Sequence, residues 1–151
     1  MPYNKNTSLG ATLTYPTIAS NSTQVASGRF PIISIMHGSG YQGGDYTQLS
    51  KILASHGFIV IAPTITTYGS YYSIWQDWQI IQRRGYETIL NMDLDSGSKF
   101  YGHANREAIG LIGHSWGGAT TELNMFMSPA RAFVFIDDIA LFNNLKDWNQ
   151  Y

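Results

Sequence analysis

The 151-residue chain predicts an α/β protein built on a doubly wound, mostly parallel sheet. Three observations carry this expectation. Four short apolar runs recur: PIISIM (31–36), FIVIAP (58–63), AIGLIG (108–113) and AFVFI (132–136). They are continuous rather than alternating, as strands covered on both faces are. Segments with helical spacing separate them, and that alternation is the signature of helices packed on a parallel sheet.

Taken in order, residues 1–29 are polar and rich in Ser, Thr and Asn. Within them ATLTYP alternates like a half-buried strand and Pro16 ends it. Residues 19–28 read as a turn or loop. The run 31–36 stops at His37-Gly38. Residues 46–56 place Tyr46, Leu49, Ile52 and Leu53 at helical spacing, with Gly57 as the stop. The run 58–63 closes on a proline. Residues 73–90 put Ile74, Trp78, Ile81 and Ile89 on roughly one helical face. DLDSGSKFYGHANRE is polar and reads as loop. Its DLDSGS start is like a calcium loop, but Ala104 stands where the twelfth, acidic ligand belongs. The run 108–113 precedes a helix over 117–127, and 132–136 ends at Asp137-Asp138. Sheets of this kind bind ligands at the carboxyl ends of their strands. His37-Gly38, Pro63-Thr64, Ser115 and Asp137 are therefore expected along one edge.

Composition bounds the rest. The length suits one domain: a strand-and-loop region over 1–29 and a core over 30–140. The chain is 44% apolar and 14% aromatic, so a core is affordable in material, and only 13% is charged. A net charge of −1 gives no footprint for nucleic acid. Absence of cysteine removes disulfides, thiolate metal sites and a cysteine nucleophile. No histidine pair has the spacing of a helical zinc motif, and no cofactor or metal is expected. MPYNKNTSLG has no apolar signal-peptide region, and no run approaches a membrane span, so a soluble chain of undetermined compartment is expected. Asn-x-Ser/Thr sequons at Asn6 and Asn21 are what a chain rich in these residues shows by chance.

The chemistry centres on Gly113-His114-Ser115-Trp116-Gly117, a G-x-S-x-G pattern. Alone it arises by chance in roughly 5% of chains this long. Here an apolar run precedes it and a helix follows, the context a nucleophile elbow needs. Such a serine sits on a strained strand-to-helix turn. The flanking glycines let the two backbones approach, and the helix N-terminus faces a developing oxyanion. A second signal is His37-Gly38-Ser39-Gly40-Tyr41, a glycine-rich loop able to aim backbone N–H groups into the site.

IISIMHGSGYQGGDYTQLSKILASHGFIVIAPT and EAIGLIGHSWGGAT together resemble the α/β-hydrolase superfamily. The likeness leans toward the platelet-activating-factor acetylhydrolases, the cutinase-like polyester hydrolases and the dienelactone-hydrolase-like proteins. It spans roughly residues 10–140. It implies serine hydrolysis of small-molecule or polymeric carboxylic esters without a cofactor. Ser115 is then the nucleophile, and the backbone N–H groups of Tyr41 and Trp116 form the oxyanion hole. In the acetylhydrolase-like branch the triad acid maps onto Asp137 or Asp138, and in the polyester-hydrolase branch it comes one strand later, beyond this chain. His37, Tyr68 and Trp75 are the candidate substrate-binding residues. The aromatic cluster Tyr68, Tyr71, Tyr72, Trp75 and Trp78 follows a strand end and could line an ester pocket; the alternative reading has Trp78 as core and the rest as helix packing.

In this fold the triad runs Ser, acid, His, yet all four histidines precede Ser115. His37 is expected to brace the glycine-rich loop through its ring nitrogens. His56 and His103 fall near strand starts, at the far edge of the sheet. The sequence thus reads as the N-terminal part of an esterase, lacking its last strands and its base. That leaves an unpaired sheet edge for self-association. The competing readings are a non-catalytic remnant that binds a ligand or partner, and His37 standing in as base.

Overall fold

The computed structural model describes residues 10–65 and 71–137, with backbone alone for 71–76. Its strands are β1 (Ala11–Thr14), β2 (Phe30–Met36), β3 (Ile59–Pro63), β4 (Ala104–His114) and β5 (Ala132–Ile136). Its α-helices are α1 (Thr47–Ser55), α2 (Tyr71–Leu94) and α3 (Trp116–Asn124), with a 3-10 turn at Gly43–Tyr46. The strands form one sheet in the order β1-β3-β2-β4-β5. β1 is antiparallel to β3, and every other pairing is parallel. This is the mostly parallel α/β sheet that the apolar runs predict.

The two faces of the sheet are covered by different helices. Ile33, Ile35, Val60, Ala62 and Ile112 pack with Tyr46, Leu49 and Leu53 of the 3-10 turn and α1. Ile32, Ile59, Ile61, Ile109 and Leu111 pack with Tyr86 and Ile89 of α2. Side chains along a strand alternate between faces, so both sets come from the same strands. From β2 the chain moves one way to β3 by α1, then back past β2 to β4 by α2, and onward to β5 by α3. Right-handed crossovers running in opposite directions put their helices on opposite faces, which is the arrangement found.

The helix α2 buries Trp78, Gln82, Tyr86, Ile89 and Asp93, a stripe with spacings of three and four. Two of its members are polar. Gln82 Nε2 donates to the Thr121 hydroxyl (2.6 Å) and the Ile112 carbonyl (3.2 Å), and Gln82 Oε1 accepts from Asn124 Nδ2 (2.8 Å). The Ser34 hydroxyl donates to the Gln82 carbonyl (2.8 Å). One side chain thus fastens α2 to β4 and α3, and its backbone fastens it to β2. Asp93, at the other end, accepts from the Ala104 N–H (2.9 Å) and pairs with Arg106 (3.5 Å).

Several boundaries differ from the sequence expectation. β4 begins at Ala104, inside the stretch that reads as polar loop, and α2 continues to Leu94. Pairing of Ala104 with Phe30 and the Asp93 bond hold this polar start extended, so tertiary contacts override local composition. α3 ends at Asn124, and the Met125 and Met127 N–H groups return to carbonyls three residues back. Val25, within the expected loop 19–28, bridges to Thr17 and is buried. No helix among the described residues is long and apolar enough to cross a membrane.

Candidate active site

The chain leaves the carboxyl ends of β2 and β4 toward opposite sides of the sheet, and these strands are neighbours. Such a switch point opens a crevice between the two outgoing loops. The loop after β2 begins at His37-Gly38, and the turn after β4 holds Ser115. The parallel pairing of Met36 with Gly113 and of His114 with Ile136 brings the ends of β2, β4 and β5 level.

Ser115 has φ 52° and ψ −115°, a region non-glycine residues rarely occupy. Holding it there costs about 1–3 kcal/mol, which the surroundings must offset. Its N–H donates to the Ile136 carbonyl (2.9 Å), and its carbonyl accepts from Gly118 (2.8 Å) and Ala119 (3.2 Å). Its hydroxyl does not cap α3. The glycines flanking it two residues away are required by contact. A Cβ on Gly113 would collide with the Gly117 carbonyl, and one on Gly117 with the Met36 carbonyl. The strand, turn and helix therefore meet backbone to backbone.

The β2 loop packs against this turn. A Cβ on Gly38 would lie 2.9 Å from His114 Nδ1 and 3.2 Å from the Ser115 Cβ. Residues Gly38–Tyr41 form a tight turn closed by the Tyr41 N–H on the Gly38 carbonyl (3.2 Å), with Gly40 at φ 80°. His37 is wholly buried. The Ile65 N–H donates to its Nε2 (3.0 Å), so Nδ1 carries the proton and donates to the Gly38 carbonyl (2.8 Å). Burial holds the imidazole below its ordinary 6.5, against smaller raising effects of the Gly38 bond and the Asp45 charge. The ring is neutral and joins the loop after β3 to the loop after β2. Trp78 lies against it (4.9 Å between rings) and packs with Met36, Ile65 and Trp116 as a floor.

On the other side of the loop, the Gly38 N–H donates to the Tyr46 hydroxyl (3.1 Å), which lies 2.6 Å from His114 Nδ1. Tyr41, half exposed, sets its ring edge-on to His114 at 5.4 Å. Burial, the largest influence, raises the Tyr46 phenol above its ordinary 10.0, so it stays protonated.

The expected site residues are placed as follows. Ser115, Tyr41, Trp116 and His37 gather at the switch point, and Trp116 is the first residue of α3. Asp137 follows the residue that accepts from the Ser115 N–H, is exposed, and has φ 47°. Asp138, Tyr68 and the side chain of Trp75 lie outside the described residues. His56 Nδ1 bonds to the Ile52 carbonyl and His103 Nδ1 to that of Gly28, at the amino ends of β3 and β4. Tyr46 is the residue that sequence reasoning missed. Its helical spacing marks it as core, and nothing in the pattern shows that its hydroxyl reaches two loops.

The family profile for chlorophyllase matches residues 11–130, most of the chain and nearly all of the described structure. No curated protein matches the chain significantly. The profile supports the superfamily that the residue likeness implies, while the three narrower branches rest on that likeness alone. The chain belongs to the chlorophyllase family, a family of the α/β-hydrolase superfamily whose general chemistry is the hydrolysis of carboxylic esters.

Proposed function

We propose that the protein is a serine hydrolase of carboxylic esters, small-molecule or polymeric, acting through an acyl-enzyme at Ser115. The observation that carries this reading is the strained backbone of Ser115 between two contact-required glycines at the switch point. Strain of this kind concentrates at functional sites. The hydroxyl oxygen attacks the ester carbonyl carbon, and the resulting oxyanion is met by the N–H groups of Trp116 and Tyr41. The Tyr41 N–H is offered from a long 3.2 Å turn bond to a carbonyl that His37 also serves, so exchanging partners costs little. Collapse of the tetrahedral species expels the alcohol, and water then releases the acid.

A serine hydroxyl needs a base to be nucleophilic at neutral pH. His37 is unsuited to that role, because both its ring nitrogens are bonded within the loops. We assign the base to a histidine from sequence outside this chain, with Asp137 orienting it, and substrate contact to Tyr68 and Trp75. His37 serves that contact indirectly, by holding the loop that borders it.

The test is covalent labelling of the full-length protein with a fluorophosphonate, with the site located by peptide mass spectrometry. The expected result is one adduct at Ser115, lost in Ser115→Ala. Labelling that survives Ser115→Ala sinks the reading. Complete absence of labelling favours a non-catalytic binding module, a reading the engagement of His37, His56, His103 and His114 with other groups also supports.

A further inference from the structure

The Tyr46 hydroxyl has one proton and two neighbours. The Gly38 N–H can only donate, so the oxygen accepts there. Its other hydrogen bond is with His114 Nδ1 at 2.6 Å, where the proton sits on the oxygen when Nδ1 is unprotonated. In that arrangement the neutral His114 ring carries its proton on Nε2. The bonds then run in one sense, from the Gly38 N–H to Tyr46 to His114. They span the switch point, joining the loop that offers the Tyr41 N–H to the residue before Ser115.

Tyr46 is itself held firmly. It ends a 3-10 turn whose start is fixed by Asp45 Oδ2 accepting from the Gln42 N–H (2.8 Å). The Gly43 N–H donates to the Thr64 hydroxyl (2.9 Å), and Gly43 sits so close to the Ala62 carbonyl that a Cβ would collide with it. Thr64 follows β3, so the tyrosine is referenced to the sheet and not to the loop it holds. A group positioned in this way can hold a flexible glycine-rich loop at a fixed distance from Ser115. Glycines at 38 and 40 give that loop little stiffness of its own.

We propose that Tyr46 is a positioning residue for the Ser115 reaction: its hydroxyl ties the loop to the nucleophile turn and sets the tautomer of His114. This rests on the serine-hydrolase reading, and the two fail differently. Tyr46→Phe removes only the oxygen and leaves the ring packed against the sheet cluster of Ile33, Ile35, Val60, Ala62 and Ile112. The full-length protein is compared with this variant by the kinetics of fluorophosphonate labelling and by nitrogen NMR of ring-labelled histidine, with His114 assigned from its loss in His114→Asn. The expected outcome is a fall in the maximal labelling rate of about tenfold, equivalent to one hydrogen bond's net contribution, at unchanged probe affinity. The His114 Nδ1 resonance should be of the unprotonated type in the parent and move downfield in the variant as its bond is lost.

Equal labelling rates overturn the proposal and leave Ser115 as nucleophile. No labelling of the parent protein overturns the hydrolase reading, and with it any catalytic part for Tyr46. Should Tyr46→Phe not fold, the parent spectrum decides: a protonated Nδ1 on neutral His114 reverses the bond sense and overturns the proposal, and a protonated Nε2 supports it.

Discussion

At the scale of the residue, His37 shows how a group that looks catalytic can be structural. It stands next to a glycine-rich loop, at the end of a core strand, where a base would be useful. Its two nitrogens instead serve opposite loops as donor and acceptor, which only the neutral ring can do. Protonation would turn Nε2 into a donor facing the Ile65 N–H. Its folded pKa is depressed below 6.5, so the unfolded chain binds the proton more readily. The stability His37 contributes is then fully present above about pH 6.5 and is lost as pH falls toward the lower folded value. The slope approaches about 1.4 kcal/mol per pH unit within that window. Urea unfolding between about pH 8 and about pH 5.5 should show a falling midpoint, and His37→Asn should be less stable at the upper pH but flatter across the range. A parent protein whose slope matches that of His37→Asn would remove this role.

At the scale of the element, the helix after Ser115 is held by polar groups buried between helices. Gln82 is wholly buried and bonds to Thr121, Asn124 and the Ile112 carbonyl, so it sets α2 and α3 relative to the strand that ends at Ser115. Gln82→Leu has similar volume but leaves those partners unmatched inside the protein. Each stranded group costs about 1–3 kcal/mol, so a loss of about 2–4 kcal/mol is expected in denaturant unfolding. A change within about 0.5 kcal/mol, the range of an ordinary surface substitution, would show that the network contributes little. Gln82 also marks the limit of reading the sequence. The strands β2, β3 and β4 are legible because apolar runs covered on both faces leave few polar interruptions, and β5 by its apolar run although its side chains are largely exposed. The Ser115 turn is legible because close backbone approach restricts Gly113 and Gly117 to glycine. Gln82 and Tyr46 are not legible, because their roles depend on partners such as Ile112 and His114, 30 and 68 residues away. The same holds for the polar start of β4, whose extension comes from Phe30 and Asp93.

At the scale of the whole molecule, the sheet is finished differently at its two ends. β1 closes one end with four antiparallel residues that are only partly apolar. At the other end, among the described residues, β5 pairs on one side with β4 alone. Its Val134, Phe135 and Ile136 are 49%, 37% and 37% exposed, and Phe126 and Met127, before it in the chain, are 70% and 60% exposed. An apolar edge strand offers both backbone hydrogen bonds and hydrophobic surface to another chain, and natural edges are commonly blunted by lysine. None of the five residues of β5 is charged or proline. Concentration-dependent self-association of the 151-residue chain by itself is therefore expected in sedimentation velocity. Val134→Lys should shift the population toward monomer while moving the unfolding free energy by no more than about 0.5 kcal/mol, because the side chain is half exposed. The site offers an internal control, since β5 ends at Ile136, whose carbonyl holds the Ser115 N–H. If the edge is only a surface, Val134→Lys leaves the amide hydrogen exchange of Ser115 unchanged as association falls. If association persists in the variant, the contact lies elsewhere and the edge is not its cause.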